Sequence, residues 1–461
     1  MQHTSRKIIK ITPTEIYEKK KNKLHRDFIY NLKNKTHVVF TKKTSNLFRK
    51  QDKIKAKKIS VHNFNNVLSI DPIKKIAVVE AMIRFEDLVA VTLRYGFLPP
   101  VVPQLKTITL GGAVSGIGIE ASSFTYGLVH ETILEMEVMV PDGKIIICTP
   151  NNEYQDLFFA LPNSYGTLGY ILKMKIKLID AKKYVKITYH NYTDSKKYFI
   201  DLKIFCNTKK FNFVDGVVFD EKNMFIITSQ FTNQVPRVSN YKYMNIYFKS
   251  ILKNKVDYLT TGDFIWRWDT DWFWCSKIFG MQNTLLRFIL GKFMLGSKSY
   301  WKIARFEEKY KLREKVEKIF TGKIKLTESV VQDVCIPIEN CEQFLNFFNK
   351  QISIKPIWIC PFRTYDENKK FTLFNLNPKK LYVDFGFWDV VSTDKPKGYY
   401  NKLIEKEVEK LGGKKSLYSE SFYNENKFWE IYNGRDYFKL KQKYDPDNNF
   451  PDLYTRCVKN K

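Results

Sequence analysis

The stretch TITLGGAVSGIGIEASSFTYG, Thr107 to Gly127, constrains the fold of this chain more than any other. Within it, Gly116-Ile-Gly118-Ile-Glu-Ala121 fits G-x-G-x-x-A, the phosphate-binding fingerprint of Rossmann folds. That fingerprint needs a strand before it and a helix after it, so that a pyrophosphate sits at the helix N-terminus. The preceding PPVVPQLKTITL carries three prolines and makes a poor central strand. The following SSFTYGLVHETI, with two serines, β-prone Phe124 and Thr125, and Gly127, does not make a helix. The Rossmann reading fails on context. What remains is a long loop supplied with Gly111, Gly112, Gly116 and Gly118. Such glycines let backbone N–H groups approach an anion, forming a nest rather than a helix cap. Thr109, Ser115, Ser122 and Ser123 add hydroxyl donors.

The flanking texture is mixed helix and strand. RFEDLVAVTLRYG (84–96) spaces its apolar residues as a helix and ends on Gly96, a good C-cap. TILEMEVMVPDGKIIICT (132–149) alternates, turns at Asp142-Gly143 and resumes, the pattern of a hairpin. DLFFALPNSYGTLGYILKMKIKLI (156–179) predicts a short helix, a glycine turn and an alternating strand. Beyond about Ala181 come strand-like FNFVDGVVF, MFIITSQF, VVQDVCIPI, PIWICPF and KLYVDFGFW, with a long helical region over 282–320.

Formal charge is +29, from 77 Lys and Arg against 48 Asp and Glu. That surplus fits nucleic acid, an anionic membrane face or an anionic cofactor. A sequence biased at once toward Lys, Asn and Ile also produces it without any binding role, so no specific nucleic-acid partner is expected. The seven cysteines are scattered and form no C-x-x-C, which argues against a disulfide framework. The six histidines never pair at ligand spacing, so no metal site is expected. Met1 to Lys35 is a charged arm or helix with no evident core face, and it lacks the apolar core of a signal peptide. No stretch reaches the ~18 apolar residues of a membrane span. The expected location is intracellular, soluble or peripheral to a membrane.

Five elements then occur in order: Thr109–Gly118, Ser122–Gly127, Asp142-Gly143, Asp156–Phe158 and Gly166–Gly169. In this order they resemble the FAD-binding domain of the vanillyl-alcohol oxidase (PCMH-type) flavoprotein family. VVQDVCIPIENCEQFLNFF, PIWICPF, LYVDFGFW and FWEIYNGRDYFKLKQKYDPDNNFPDLY resemble the branch of that family that saturates sterol side chains. The resemblance covers roughly Thr36 to Lys459. It implies an α+β fold: a two-subdomain PCMH-type FAD-binding domain with an α/β substrate (cap) domain. The expected boundaries are a basic N-terminal arm at 1–35, the FAD-binding domain at 36–183, the cap at 184–415, and a segment at 416–461 returning to the FAD domain.

The resemblance implies that FAD is held by Thr109, Leu110, Gly111, Gly112, Ala113, Val114, Ser115, Gly116, Ile117, Gly118, Ile119, Glu120, Ala121, Ser122, Ser123, Tyr126 and Gly127, and by Gly166, Thr167 and Gly169. An earlier loop, TKKTSNLFR, takes the pyrophosphate with Lys43, Thr44, Ser45 and Asn46, although the family's usual glycine is missing there. No histidine lies between His37 and His62, where many relatives tether flavin, so the expected FAD is non-covalent. His130 is expected to be structural. The implied reaction takes hydride from NADPH through FAD to a carbon–carbon double bond in the side chain of a sterol-like lipid. An isolated alkene accepts hydride poorly, so a placed acid must protonate the other carbon. The candidates are Tyr423 first, then Tyr418, Tyr382 and Asp384, with Arg363 to steady the reduced flavin. The aromatic stretch Phe264–Phe279 interleaves Arg267, Asp269 and Asp271 with four tryptophans, which predicts at least one wet face. With LLRFILGKFMLG (285–296) it predicts a membrane contact over 264–296. Two other readings stay open: a flavin-dependent oxidase or dehydrogenase of another alcohol or hydroxy acid, and a basic binding protein on a degenerate flavin fold.

Overall fold

The computed structural model describes residues 12–42, 48, 56–310 and 326–459. Lys43, Thr44, Ser45 and Asn46 lie outside the described residues. The mixture of helix and strand is α+β, as the sequence predicts. Two antiparallel sheets dominate. The first runs, edge to edge, Val67–Asp71, Ile76–Glu80, Tyr170–Lys177, Ile133–Met139 and Ile145–Cys148. The Asp142-Gly143 hairpin forms as its alternation demands, with Gly143 at φ +91°.

The N-terminal arm has a core face after all. Thr12 and Glu15 form a capping box that starts a helix over Pro13–Lys33. Tyr17, Leu24 and Phe28 recur at helical spacing and are buried. The Tyr17 hydroxyl donates to Glu137 at 2.8 Å, Lys21 pairs with Glu137 at 3.0 Å, and Lys20 pairs with Glu80. Its basic residues therefore face carboxylates of the first sheet, and the long polar stretch hides only three apolar anchors.

The second sheet has eight strands in the order Val256–Thr260, Tyr184–Tyr192, Met224–Thr232, Phe213–Val218, Ile357–Phe362, Tyr382–Ser392, Thr327–Pro337 and Lys414–Lys415. Every pairing in it is antiparallel, so this unit is α+β rather than the expected α/β. Helices Ser195–Asn207 and Cys341–Gln351 do cross between strands that run the same way, but an antiparallel strand, Met224–Thr232 or Tyr382–Ser392, is inserted between each such pair. Side chains alternate across the strands. Val330, Val334, Phe385, Phe387, Ile357 and Ile359 face helices Ser195–Asn207, Cys341–Gln351 and Tyr399–Lys410 in one core. The intervening residues Val331, Asp333, Trp388 and Trp358 point the other way, into a cleft.

The C-terminal helix Gly434–Tyr444 is fastened to the first unit. Tyr444 donates to Asp156 at 2.7 Å, Lys443 pairs with Asp156 at 2.6 Å, and Lys441 reaches the carbonyl of Thr167 at 3.2 Å. Among the described residues, no helix is long and apolar enough to cross a membrane.

Candidate functional site

A cleft of about 1430 Å³ has the glycine stretch on one side and the second sheet on the other. It exceeds the ~300–1,000 Å³ that suits a single drug-sized ligand and has room for a dinucleotide and a second molecule. The floor is not the open loop that the sequence predicts. Thr109 takes extended backbone angles and caps a short helix, Leu110–Ser115, by accepting from the Gly112 N–H at 3.3 Å. Gly111 packs so closely on the first sheet that an added methyl would stand 2.9 Å from the Ala81 carbonyl oxygen. A methyl on Gly112 would stand 2.8 Å from Thr109 Oγ1 and 3.2 Å from Lys42 Nζ. The missing side chains let this turn sit tightly against its neighbours.

Thr109, Gly111, Gly112, Ala113, Ser115, Gly116, Ile117, Gly118, Ile119, Glu120, Gly166 and Gly169 line the cleft. Leu110, Val114, Ala121, Ser122, Ser123, Tyr126, Gly127 and Thr167 do not. Most of the hydroxyls expected to meet an anion are spent inside the protein. Ser115 donates to the Gly111 carbonyl at 2.8 Å, Ser122 to that of Pro100 at 2.7 Å, and Thr167 to that of Ser164 at 2.8 Å. Ser123 accepts from the Glu120 N–H. Two cations take their place, and sequence reasoning missed both. Lys42 and Arg456 line the cleft beside the glycines. Burial, and then the nearby guanidinium, push the Lys42 amine down to about 8, so an anion bound here would favour its charged form. Lys42 was findable, since it lies inside the expected pyrophosphate loop TKKTSNLFR, one residue before those assigned to the anion. Nothing in the sequence pointed to Arg456.

Backbone strain gathers in the same place. Ile117, Tyr165, Trp272 and Phe273 line the cleft with φ of +61°, +49°, +46° and +60°, a region L residues avoid. Opposite the glycines, Trp272, Phe273, Trp358 and Trp388 make an aromatic wall, with Phe273 and Trp388 rings 4.4 Å apart. Among the described residues, no histidine lines the cleft. His130 is buried against Phe371 at 4.3 Å between ring centres, and desolvation holds its imidazole down at about 3, hence neutral.

Of the expected acids, only Tyr418 reaches the cleft. Tyr423 is buried against Tyr432, and Tyr382 stacks on Phe362 while its oxygen accepts from the Asn377 N–H at 3.1 Å. Asp384 is buried beside Cys335, and Arg363 donates to Asn207 at 2.8 Å. The aromatic stretch also departs from expectation. Arg267, Asp269 and Asp271 are buried, not wet, because each has a partner: Asp215 for Arg267, Ser297 and the Lys106 N–H for Asp269, and Arg287 for Asp271.

A glycine floor, two cations beside it and an aromatic wall together fit FAD. Residues 29–149 match the model of the FAD binding domain family. Along most of its length the protein is similar to delta(24)-sterol reductases. It is 29% identical over 413 residues to those of Macaca fascicularis and Homo sapiens, spanning 86% of its own length and 77% of each relative. It is 25% identical to that of Arabidopsis thaliana, over 87% of its own length and 76% of the relative. The protein is an FAD-linked oxidoreductase similar to these reductases. In this oxidoreductase the family match ends at residue 149, so Gly166, Gly169, Arg456 and the whole aromatic wall lie beyond the matched segment.

Proposed function

We propose that this oxidoreductase reduces a carbon–carbon double bond in the side chain of a sterol-like lipid, with NADPH as electron donor and dissociable FAD between them. The observation that carries the proposal is the cleft's division into a cationic glycine floor and an apolar, aromatic wall, large enough for both partners. The delta(24)-sterol reductases that align with the protein act on the substrate their name gives, and this supports a sterol-like ligand here. Bound there, FAD would supply two-electron hydride chemistry. Gly116 and Gly118 would present backbone to its pyrophosphate, with Lys42 and Arg456 meeting the charge, while the N–H groups of Gly111 and Gly112 are held by the Ala81 carbonyl and Thr109 Oγ1. We assign residues 36–183 to the flavin unit, 184–415 to the substrate unit, and 416–461 to a segment that closes on the first. The absorption spectrum tests the cofactor: flavin bands appear in the purified protein and pass into the supernatant on acid precipitation. Bands that stay with the pellet contradict a dissociable flavin. The substrate is tested by supplying NADPH and a side-chain-unsaturated sterol without oxygen, where the product gains two hydrogens.

The same reading includes a peripheral membrane contact. Helix Thr284–Met294 leaves Leu285, Phe288, Ile289 and Phe293 more than half exposed on its surface. Segments on both sides of it, through Phe279 and Trp301, line the cleft. Such a face beside a lipid-sized cleft suits an interfacial helix. Burying one Phe in a bilayer is worth roughly 1.5–3 kcal/mol. Phe288→Asp with Phe293→Asp is therefore expected to weaken liposome flotation by at least about tenfold while the flavin spectrum stays intact. Equal flotation of the double variant removes this contact.

A further inference from the structure

The acid that the reaction needs is not settled by exposure alone, because a buried tyrosine is a poor acid by itself. Tyr418 lines the cleft together with Asp333 and Trp388. Its oxygen accepts from the Trp388 indole N–H at 2.9 Å, and the Asp333 carboxyl lies beside it. Asp333 lies directly across the strand pair from Gly386. A methyl on Gly386 would come within 2.8 Å of Asp333 Oδ1 and 2.5 Å of the Trp388 ring, so glycine makes room for this group of three. Asp333 Oδ1 is buried and has no hydrogen-bond partner among the described residues. Two residues along the neighbouring strand, on the same face, Asp384 is fully buried with Oδ2 likewise unpartnered.

We propose that Tyr418 is the proton donor to the alkene and that Asp333, acting through Tyr418, reloads it. The proposal rests on the alkene reduction set out above. The alkene takes a hydride, with its two electrons, on one carbon from the reduced flavin, and one proton on the other. The π bond breaks and two C–H bonds form. Tyr418 gives its proton to that second carbon as Asp333 passes its own to the phenol oxygen, leaving a carboxylate on Asp333 that water in the cleft reprotonates. Neither partner is left as a buried phenolate. Burial pushes the Tyr418 hydroxyl up, so a proton passed from the carboxyl behind it as it reacts avoids a buried phenolate. Burial, with Asp384 beside it, likewise raises Asp333 and favours its protonated form. Protonated Asp333 donates to Tyr418, and the tyrosine hydrogen is then turned into the cleft. Asp384, Cys335 on the same strand as Asp333, and Lys414 on the adjoining strand complete the charged and titratable surroundings.

The test separates the two half-reactions of the FAD-loaded protein without oxygen: bleaching by NADPH, then recolouring by a side-chain-unsaturated sterol. Tyr418→Phe is expected to hold flavin and bleach, and to recolour about 10²–10⁴ times more slowly. In the wild type, recolouring slows as pH rises and Asp333 loses its proton; Asp333→Asn lacks this limb and recolours slowly at every pH. Independently of turnover, the infrared band of a protonated carboxyl at neutral pH weakens in Asp333→Asn. A wild type that bleaches and never recolours removes both the reading and the relay. A wild type that recolours, with Tyr418→Phe equally fast, removes the relay alone. If Glu120→Gln instead abolishes recolouring while Tyr418→Phe does not, the donor is Glu120, another buried carboxyl in the cleft.

Discussion

Gly112→Glu is expected to give a folded, colourless protein. The new side chain starts 2.8 Å from Thr109 Oγ1 and 3.2 Å from Lys42 Nζ, on the side of the helix that faces the cleft. Its carboxylate would pair with Lys42, whose amine burial holds at about 8, and so take the charge that a pyrophosphate needs. Loss of one charge-assisted contact costs about 1.5–3 kcal/mol, and the occupied volume and like-charge repulsion add to it. FAD affinity should fall by at least about a hundredfold. Stability should fall only modestly, since the new Cβ displaces the Thr109 cap hydroxyl while the new carboxylate pairs with Lys42. The two measurements are flavin content after purification and the melting temperature without flavin. A yellow Gly112→Glu variant would move the pyrophosphate away from this turn. Lys42→Met gives the complementary case: it removes the cation without filling the space, and a smaller loss of affinity is expected.

What could be read from the sequence follows from how far each signal reaches along it. The glycine floor was legible because close backbone approach requires missing side chains, and the glycines lie within one short stretch. The exclusion of a Rossmann unit held for the same reason, since flanking prolines and serines are local evidence; the first sheet is antiparallel and none of its strands runs directly into the glycines. The short helix Leu110–Ser115 was missed because its two glycines count against helix, while packing on Ala81 rewards them. Arg456 and Asp333 were missed for a different reason. Strand alternation tells that Asp333 and Val334 face opposite ways, but not which side meets the cleft. The error over the aromatic stretch has the same origin. Arg267 and Asp271 look wet beside tryptophans, and only distant Asp215 and Arg287 make their burial tolerable. The burial of an ionic residue is decided by partners, and partners are long-range.

Arg267→Ala should be the most destabilising single substitution among those considered. The guanidinium is 3% exposed and serves three elements. It pairs with Asp215 of the second sheet at 2.8 Å, donates to the Phe264 carbonyl at 3.0 Å, and lies 3.7 Å from Glu120 beside the glycine floor. Its removal leaves Asp215, fully buried, with only the indole N–H groups of Trp268 and Trp358 at 3.4 and 3.3 Å. It also removes the charge that favours ionised Glu120, whose carboxyl burial already raises to about 8. Breaking such a pair from one side costs about 3–5 kcal/mol, because a charge stays buried without its counterion. A fall in melting temperature on the order of 10 °C follows. Arg267→Met with Asp215→Asn removes both charges and keeps an acceptor for the two indoles. The double variant should therefore melt above Arg267→Ala, since most of the single loss is an orphaned carboxylate and not a lost attraction. Added salt should change none of these differences much, because neither partner meets solvent. If the double variant melts as low as Arg267→Ala, the guanidinium acts mainly by packing under Phe264, where its carbon stands 4.1 Å from the ring centre.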